Sequence, residues 1–183
     1  MAGSYISIPT ILKVGKNTLD HLGAYLETSG FKNAVIYFGN GLISMFGDKI
    51  FDSLKKEHIT VLDYMELDTT KIEDIIQLAF EIDSKAQVIV GIGGGKVIDT
   101  AKYAAYLRKL PYISIPTSAS SDGFSSASAS LLVNGRRTSV PAKIAYGIVA
   151  DTEILKSAPE KFIFSGIGDM VSKITSLYDW AFE

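Results

Sequence analysis

The sequence predicts an α/β protein built on a doubly wound parallel sheet. Strand-like and helix-like segments alternate along most of the chain, and continuous apolar runs stand at residues 34–38, 88–90 and 145–150. Such runs are typical of parallel strands that helices cover on both faces. A glycine turn at residues 39–41 follows the first of these runs directly, and another at 93–95 follows the second after two residues. Parallel strands need crossover connections, so the repeated order of strand and helix is the one that this sheet requires.

The elements of the first half follow from local patterns. Residues 5–14 alternate loosely around a proline, which favours an edge strand or an irregular start. Apolar residues at helical spacing predict amphipathic helices, and short apolar runs predict the strands between them. The expected elements in chain order are a helix at 17–26, a strand at 34–38, a helix at 42–57, a strand at 59–62, a helix at 72–84 and a strand at 88–90.

The central segment is VIVGIGGGKVID at residues 88–99, in which an apolar strand breaks into glycines and opens a helix. The unpaired amides and the positive dipole end of a helix's first turn attract an anion, and glycines let a diphosphate approach the backbone closely. The segment therefore predicts a nucleotide phosphate site. It matches neither common signature, since Lys96 stands where GxGxxG needs glycine and Val97 stands where a P-loop needs Ser or Thr. A tight turn without a ligand is the alternative.

A serine-rich tract at residues 116–126 follows a further predicted strand at 111–115. Its composition suits a flexible linker. However, the tract begins at the end of a buried strand and leads toward a β-hairpin, which Asn134 and Gly135 between two strand-like runs predict. We interpret the tract as a loop that lines a ligand cleft with hydroxyl groups and with the carboxylate of Asp122, and a linker is the alternative.

The remaining segments end in a long helix. A strand at residues 145–150 stops at Asp151, which we expect to cap a helix or to form a turn. A short helix at 159–164 precedes a glycine-containing segment, and apolar spacing from Ile167 onward predicts a long helix to the end of the sequence. Asp169 falls in the first turn of that helix, where an acid usually compensates the helix dipole.

Composition bounds the class of protein. A chain of 183 residues with 47% hydrophobic residues can bury a substantial core. The net charge of −2 gives no basic surplus, so neither nucleic acid nor an anionic membrane is an expected partner. Cysteine is absent, which excludes disulfides, thiolate catalysis and cysteine-ligated metals. No signal-peptide pattern or membrane span is recognisable, so we expect no membrane insertion and a cytoplasmic location.

Four segments together resemble the glycerol-1-phosphate dehydrogenase family, within the superfamily of iron-containing alcohol dehydrogenases and dehydroquinate synthases. They are GIGGGKVIDTAKYAAY at 91–106, IPTSASSDGFSSASASL at 115–131, GRRTSVPAKIAYGIVADTEIL at 135–155 and SGIGDMVSKITSLYDW at 165–180. The glycine loop is common to the superfamily, whereas the serine loop and the Gly-Asp helix point to this branch. The resemblance implies a Rossmann-like nucleotide-binding domain at 1–158 and the start of a helical metal- and substrate-binding domain at 159–183.

The resemblance also implies an activity and a set of site residues. The activity is the reversible NAD- or NADP-dependent reduction of dihydroxyacetone phosphate to sn-glycerol 1-phosphate with one zinc ion. Apart from the resemblance, we also consider a homo-oligomer among the partners. Asp122 and Asp169 would be the catalytic pair that contacts the phosphorylated substrate, and Asp169 would also ligate zinc. The dinucleotide would contact Gly94, Gly95, Lys96, Asp99, Thr117, Ser118, Ser120 and Ser126.

The sequence departs from the family at the metal. Catalytic zinc needs three protein ligands, and the family supplies two histidines from its helical C-terminal domain. This chain has only His21 and His58, neither at a matching position, and we expect both to be surface residues. The family's chain is considerably longer, so we expect these 183 residues to be incomplete and to have little or no dehydrogenase activity alone.

The cofactor preference depends on the end of the second strand. An acid at that point usually binds the adenosine ribose hydroxyls and repels a 2′-phosphate. Here the chain reads Phe38, Gly39, Asn40, with no carboxylate. We therefore expect that both NAD and NADP are accepted.

Other functions stay open. A glycerol dehydrogenase or another alcohol dehydrogenase of the same superfamily would differ in its substrate, because only a phosphorylated substrate needs cationic or amide partners. Dehydroquinate synthase is a more distant possibility. From a different class comes a non-catalytic nucleotide-binding or dimerising module, which the missing histidine pair favours.

Overall fold

The computed structural model describes residues 7–181, and they form one parallel six-stranded sheet with helices on both faces and a separate hairpin. The strands are β1 (Ile11–Gly15), β2 (Asn33–Gly39), β3 (Thr60–Leu67), β4 (Val88–Gly93), β5 (Tyr112–Pro116), β6 (Ser128–Val133), β7 (Arg136–Pro141) and β8 (Gly147–Asp151). The α-helices are α1 (Leu22–Thr28), α2 (Leu42–Lys56), α3 (Ile72–Glu81), α4 (Gly95–Arg108), α5 (Thr152–Ser157) and α6 (Glu160–Trp180). The predicted α/β fold class is confirmed.

The sheet order is β1-β8-β5-β4-β2-β3, and its neighbours β2 and β4 mark the point where the winding reverses. From β2 the chain crosses by α2 to one edge, and from β4 it crosses by α4 toward the other edge. Helices α1 and α2 pack on one face of the sheet, while α3 and α4 pack on the opposite face. The carboxyl ends of β2 and β4 therefore border the crevice where sheets of this type bind ligands.

The strand predictions hold where a strand is buried and fall short at the edge. Every residue of β4, β5 and β8 is buried, as the apolar runs predict. By contrast, β3 extends to Leu67, five residues beyond the expected end, because this edge strand mixes exposed and half-buried residues up to Leu67 and so forms no continuous apolar run. The first strand, β1, lies at the other edge, as predicted, while residues 5 and 6 lie outside the described residues.

Two helix boundaries differ from the sequence prediction because side chains bond the backbone. The carboxylate of Asp151 accepts the amides of Asn17 and Leu19, so the first helix begins as a 3-10 helix at Thr18–His21 before α1. Asp151 also accepts the amide of Glu153 and caps α5, as expected. Helix α3 ends at Glu81 instead of residue 84, since the carboxylate of Asp83 accepts the amide of Lys85 in a local turn.

The hairpin is confirmed and lies outside the main sheet. Strands β6 and β7 pair antiparallel, with Ser128 opposite Pro141 at one end and Val133 opposite Arg136 at the other. The two residues between them, Asn134 and Gly135, have φ angles of 49° and 75°. Positive φ at both positions is what a tight two-residue hairpin turn demands, and these residue types adopt it readily.

The C-terminal helix corrects the sequence prediction. Instead of a short helix and a second helix starting near Ile167, one continuous helix, α6, runs from Glu160 to Trp180. Asp169 therefore lies near its middle and not in its first turn. Much of its apolar surface is exposed, with Met170 at 73% and Ile174 at 70%. Among residues 7–181, no helix has the combined length and apolarity needed to cross a bilayer.

Candidate functional site

A cleft of about 500 Å³ opens at the carboxyl ends of β2 and β4. Its size lies within the range of small-molecule sites in proteins. The apolar part of its lining comes from Leu42, Met45, Phe46, Leu67, Val97, Ile154, Ala158, Pro159 and Phe162. The polar and glycine part comes from Gly39, Asn40, Asp68, Gly94, Gly95, Lys96, Thr117, Ser118, Ser120 and Ser157. The cleft thus combines an apolar wall with the predicted phosphate loop.

The glycine turn forms one side of the cleft. Gly93 has φ 157°, and a Cβ atom there would lie 3.2 Å from the Cβ of Val97, so only glycine fits without strain. Helix α4 begins at Gly95, and its N-cap residue Gly94 provides no side-chain cap. The amides of the first turn are therefore open to an outside acceptor. Around Gly95 no atom lies within 4 Å of a Cβ position, which leaves room for a ligand.

The serine tract meets the glycine turn in the same cleft. The amide of Thr117 donates to the carbonyl of Gly93 at 3.0 Å, which ties the start of the tract to the end of β4. The hydroxyls of Ser118 and Ser120 lie 3.4 Å apart on the lining. A Cβ on Gly94 would lie 3.7 Å from the Ser118 hydroxyl. The tract is therefore an ordered loop beside the glycine turn rather than a flexible linker.

A buried ion pair holds the second half of the tract. The ammonium of Lys102, whose side chain is 1% exposed, lies 3.1 Å from the Asp99 carboxylate. It also donates to the carbonyls of Gly123 and Ser128, both at 2.7 Å, and to the hydroxyl of Ser126 at 3.2 Å. The second oxygen of Asp99 accepts the amide of Ser130 in the hairpin, at 3.1 Å. The pair thus fixes the loop from inside.

The environment of Lys102 explains why its partners matter. Burial lowers the pKa of the Lys102 ammonium, and the nearby Asp99 carboxylate opposes that shift. A buried charge is tolerated when it is paired and fully hydrogen-bonded. Four acceptors within 3.2 Å meet that condition here. The sequence motif shows the spacing of Asp99 and Lys102, but it does not show that their partners are loop carbonyls far along the chain.

Helix α6 contributes a second charged cluster. The Asp169 carboxylate accepts the amide of Asp122 and the ammonium of Lys173, both at 3.0 Å. The same ammonium lies 3.2 Å from the Asp122 carboxylate. The hydrogen bond from Lys173 is the main cause that lowers the pKa of Asp169, and the Asp122 amide acts in the same direction. The bond to Asp169 in turn raises the pKa of Lys173. The two predicted catalytic carboxylates are therefore adjacent, with a lysine between them that the sequence analysis missed.

Residues on one face of α6, spaced about one turn apart, pack this charged cluster against the serine tract. Phe162 lines the cleft, Gly166 packs on the tract, and Asp169 and Lys173 follow one turn apart. A Cβ on Gly166 would collide with the carbonyl oxygen of Ala119. The glycine therefore permits a close approach between helix and loop, and it does not interrupt the helix as the sequence had suggested.

The described residues do not by themselves form a metal centre. Within residues 7–181, no three side chains of His, Cys, Asp or Glu cluster as a metal ion would require. Asp122 and Asp169 are two carboxylates already bridged by an ammonium. His58 lines a separate depression with Phe51 and Leu54, away from the cleft. This donor set does not fit a catalytic zinc, which needs three protein ligands.

The predicted cofactor residues divide into two groups. Six of them line the cleft: Gly94, Gly95, Lys96, Thr117, Ser118 and Ser120. Asp99 and Ser126 do not line it, and their polar atoms bond other parts of the protein. Asp122 and Asp169 lie beyond the Ser120 end of the lining. Their binding roles stay predictions.

One further polar residue of the lining was missed by sequence reasoning. Asp68 follows the last residue of β3 and lies 2.9 Å from the ammonium of Lys96. The hydrogen bond from Lys96 is the main cause that lowers the pKa of Asp68, and nearby Asn40 adds a smaller effect in the same direction. Sequence reasoning looked for an acid only after β2, whereas the neighbouring strand supplies it.

Comparison with known proteins agrees with the sequence resemblance. The chain is 32% identical over 182 residues to a glycerol-1-phosphate dehydrogenase (NAD(P)+) of Methanosarcina barkeri, covering 98% of this chain and 51% of that relative. It is 36% identical over 178 residues to the enzyme of the same name from Saccharolobus islandicus, covering 96% and 50%. The chain thus spans about half the length of the curated relatives that it matches.

Solved structures and a family model give the same answer. Glycerol dehydrogenase from Schizosaccharomyces pombe matches with a TM-score of 0.81 and 28% identity over 93% of this chain and 44% of that one. An NADH-dependent butanol dehydrogenase A from Thermotoga maritima shares the fold, with a TM-score of 0.80 and 20% identity over 94% and 50%. The model of the iron-containing alcohol dehydrogenase family matches residues 13–159. This chain belongs to the iron-containing alcohol dehydrogenase family.

Proposed function

We propose that the chain is the nucleotide-binding part of an NAD(P)-dependent oxidoreductase that interconverts dihydroxyacetone phosphate and sn-glycerol 1-phosphate. The observation that carries the proposal is the cleft at the β2–β4 switch point, where an uncapped helix start meets serine and threonine hydroxyls. The relatives named glycerol-1-phosphate dehydrogenase (NAD(P)+) support the reaction.

The cleft has the chemistry that a dinucleotide needs. Open amides at Gly95 and the next residues can donate to a diphosphate, and the α4 dipole favours its negative charge. The hydroxyls of Thr117, Ser118 and Ser120 can continue these bonds. The apolar wall offers a surface for the flat rings and excludes water from them. A bound nicotinamide would supply or accept the hydride.

Asp122 and Asp169 are proposed to position the substrate. Both are carboxylates beside the serine tract, so they can accept hydrogen bonds from substrate hydroxyl groups. Lys173 now bonds both, and a substrate hydroxyl would compete with its ammonium for the same oxygens. Because Asp169 sits on a helix and Asp122 on the tract, contact between α6 and the tract sets the distance between them.

The zinc expected from the resemblance stays a prediction. Asp169 alone is one ligand, and the described residues supply no matching set. A divalent cation would also have to displace the Lys173 ammonium from Asp169. We therefore expect no stoichiometric tight binding when zinc is titrated into the 183-residue chain and followed by calorimetry. Tight binding of one zinc ion would contradict this.

Two measurements test the proposed function. The 183-residue chain should bind NADH or NADPH, which fluorescence titration detects, and it should show little turnover of dihydroxyacetone phosphate alone. The protein at its natural length should oxidise NADH or NADPH with dihydroxyacetone phosphate and much more slowly with unphosphorylated dihydroxyacetone. Failure to bind any nicotinamide nucleotide would reject the proposal.

A second candidate is a glycerol dehydrogenase, which the structural match to the Schizosaccharomyces pombe enzyme favours. The same assay separates the two, because that activity would prefer glycerol and dihydroxyacetone without phosphate. A nucleotide-binding module without catalysis would bind the cofactor yet turn over neither substrate at natural length. A cytoplasmic location and a homo-oligomeric state remain expectations.

A further inference from the structure

A carboxylate and an ammonium face each other at the end of the cleft nearest β2 and β3. Gly39 pairs with Leu67 at the last registered position of these strands, so Asn40 and Asp68 follow at the same level. The Asp68 carboxylate lies 2.9 Å from the Lys96 ammonium. Asn40 also contributes to lowering the pKa of Asp68. All three residues line the cleft beside the glycine turn.

The position of this group relates it to one part of a dinucleotide. In doubly wound sheets the diphosphate lies at the glycine turn, and the adenosine ribose lies at the end of the adjacent strand, where an acid accepts its 2′-hydroxyl. Here that adjacent strand is β2, and Asn40 occupies the usual place of the acid. Asp68 brings a carboxylate to the same level from β3, and Lys96 adds a cation that the usual arrangement lacks.

The two charges favour different ribose substituents. A 2′-hydroxyl is a donor, so it suits the Asp68 carboxylate, whereas a 2′-phosphate suits the Lys96 ammonium and is repelled by Asp68. The side chains of Asp68 and Lys96 are 60% and 62% exposed. An ion pair this exposed is weak, so either member can exchange its partner for a ligand group at little cost.

We propose that Asp68 and Lys96 together read the 2′ position of the adenosine ribose and let the cleft accept both NAD and NADP. Asp68 binds the 2′-hydroxyl of NAD, and Lys96 binds the 2′-phosphate of NADP. Each residue offsets the preference of the other. The inference rests on the proposed function and adds to it the residues that set the cofactor choice.

The experiment measures a ratio in the 183-residue chain. Fluorescence titration gives the Kd for NADPH and for NADH, which differ only in the 2′-phosphate, in the wild type and in D68N, K96M and the double variant. Because the ratio cancels any shared loss at the diphosphate, it isolates the 2′ position. Thermal unfolding of each variant confirms that it is folded, and the pair Asp20–Lys49, 2.7 Å long and outside the cleft, provides the control variant D20N.

The expected outcomes have opposite signs. D68N should lower the ratio of Kd(NADPH) to Kd(NADH) roughly ten-fold and K96M should raise it roughly ten-fold, the size expected for one charge-assisted hydrogen bond. The double variant should return toward the wild-type ratio, and D20N should not change it. Equal ratios in all four proteins, or a shift in D20N as large as in D68N, would overturn the inference while leaving the proposed function intact. No binding of either cofactor to the wild type would overturn both.

Discussion

Helix α4 contributes to two ion pairs of nearly equal length, one exposed and one buried. Asp68 and Lys96 lie 2.9 Å apart with side chains 60% and 62% exposed, and Asp99 and Lys102 lie 3.1 Å apart with side chains 12% and 1% exposed. The first pair lines the cleft and has water as its other neighbour. The second pair lies under the serine tract and is bonded only to protein.

The difference shows that one short segment of α4, from Lys96 to Lys102, serves both ligand binding and the support of the serine tract. An exposed pair contributes little to stability and can exchange its partners for those of a ligand. A buried pair cannot release either charge without leaving the other unpaired, so it fixes the shape of the surrounding backbone. The glycine end of α4 is therefore suited to binding, and the following turn is suited to holding the loop that binding requires.

Replacing Lys102 with methionine should give the largest effect on stability, because it removes one member of the buried ion pair. The variant removes the ammonium that donates to the Asp99 carboxylate and to the carbonyls of Gly123 and Ser128, and it leaves the Asp99 charge buried without its cation. We expect a loss of about 3–5 kcal/mol in the free energy of unfolding, measured with urea. The matched variant K96M should leave stability nearly unchanged, because its pair is exposed. Equal losses in the two variants would refute the distinction.

A second prediction concerns the packing of α6 against the serine tract. A Cβ at Gly166 would collide with Ala119, so G166A should cost about 1–3 kcal/mol in a urea unfolding experiment. Gly168, two residues later, has no atom within 4 Å of its Cβ position. G168A should stabilise the helix by about 0.5–1 kcal/mol. If both alanines stabilised, the close packing at Gly166 would be disproved.

Two serines of the same tract sharpen the comparison. Ser118 lines the cleft, whereas the Ser126 hydroxyl accepts from Lys102 and donates to the Ser128 carbonyl. S118A should weaken NADH binding by about two- to ten-fold with little change in stability. S126A should lower the unfolding free energy by about 0.5–1.5 kcal/mol. Paired titration and unfolding of both variants check the division, and a reversed pattern would contradict it.

The smallest expected effect is a titration shift at the exposed pair. Lys96 lowers the pKa of Asp68, so the pair adds stability that is present above the ordinary carboxyl pKa and is lost as the pH falls through the lower folded value. In K96M the pKa of Asp68 should rise toward its ordinary range. Carbon-detected NMR of the Asp68 carboxyl group measures this, and an unchanged pKa would show that Lys96 is not its main partner.

Sequence reasoning found most of the fold and the glycine side of the site because both depend on local patterns. Apolar runs marked the buried strands, and residues 88–99 marked the turn between β4 and α4. Asp68 was missed because β3, a partly exposed edge strand, has no continuous apolar run and its end was placed too early. Proximity between Asp68 and Lys96 depends on strand register, which no single segment reveals.

The error at α6 has a tertiary cause, and tertiary contacts also decide the partners of Asp99. Gly166 and Gly168 suggested a break in the helix, but Gly166 serves the approach to Ala119. The resemblance implies a cofactor role for Asp99, which stays a prediction, and the structure adds that its carboxylate bonds Lys102 and Ser130. Which neighbour a polar side chain meets depends on distant parts of the chain, and periodicity carries no information about it.

The carboxylate of Asp151 links two segments that are far apart in the sequence. It accepts amides from Asn17 and Leu19, more than 130 positions earlier, and β1 has only β8 as its sheet neighbour. Closing so long a loop costs entropy before its contacts form, so β1 should be the last strand of the sheet to dock. Hydrogen exchange should therefore find β1 the first strand to open, although it belongs to the same sheet as the cleft.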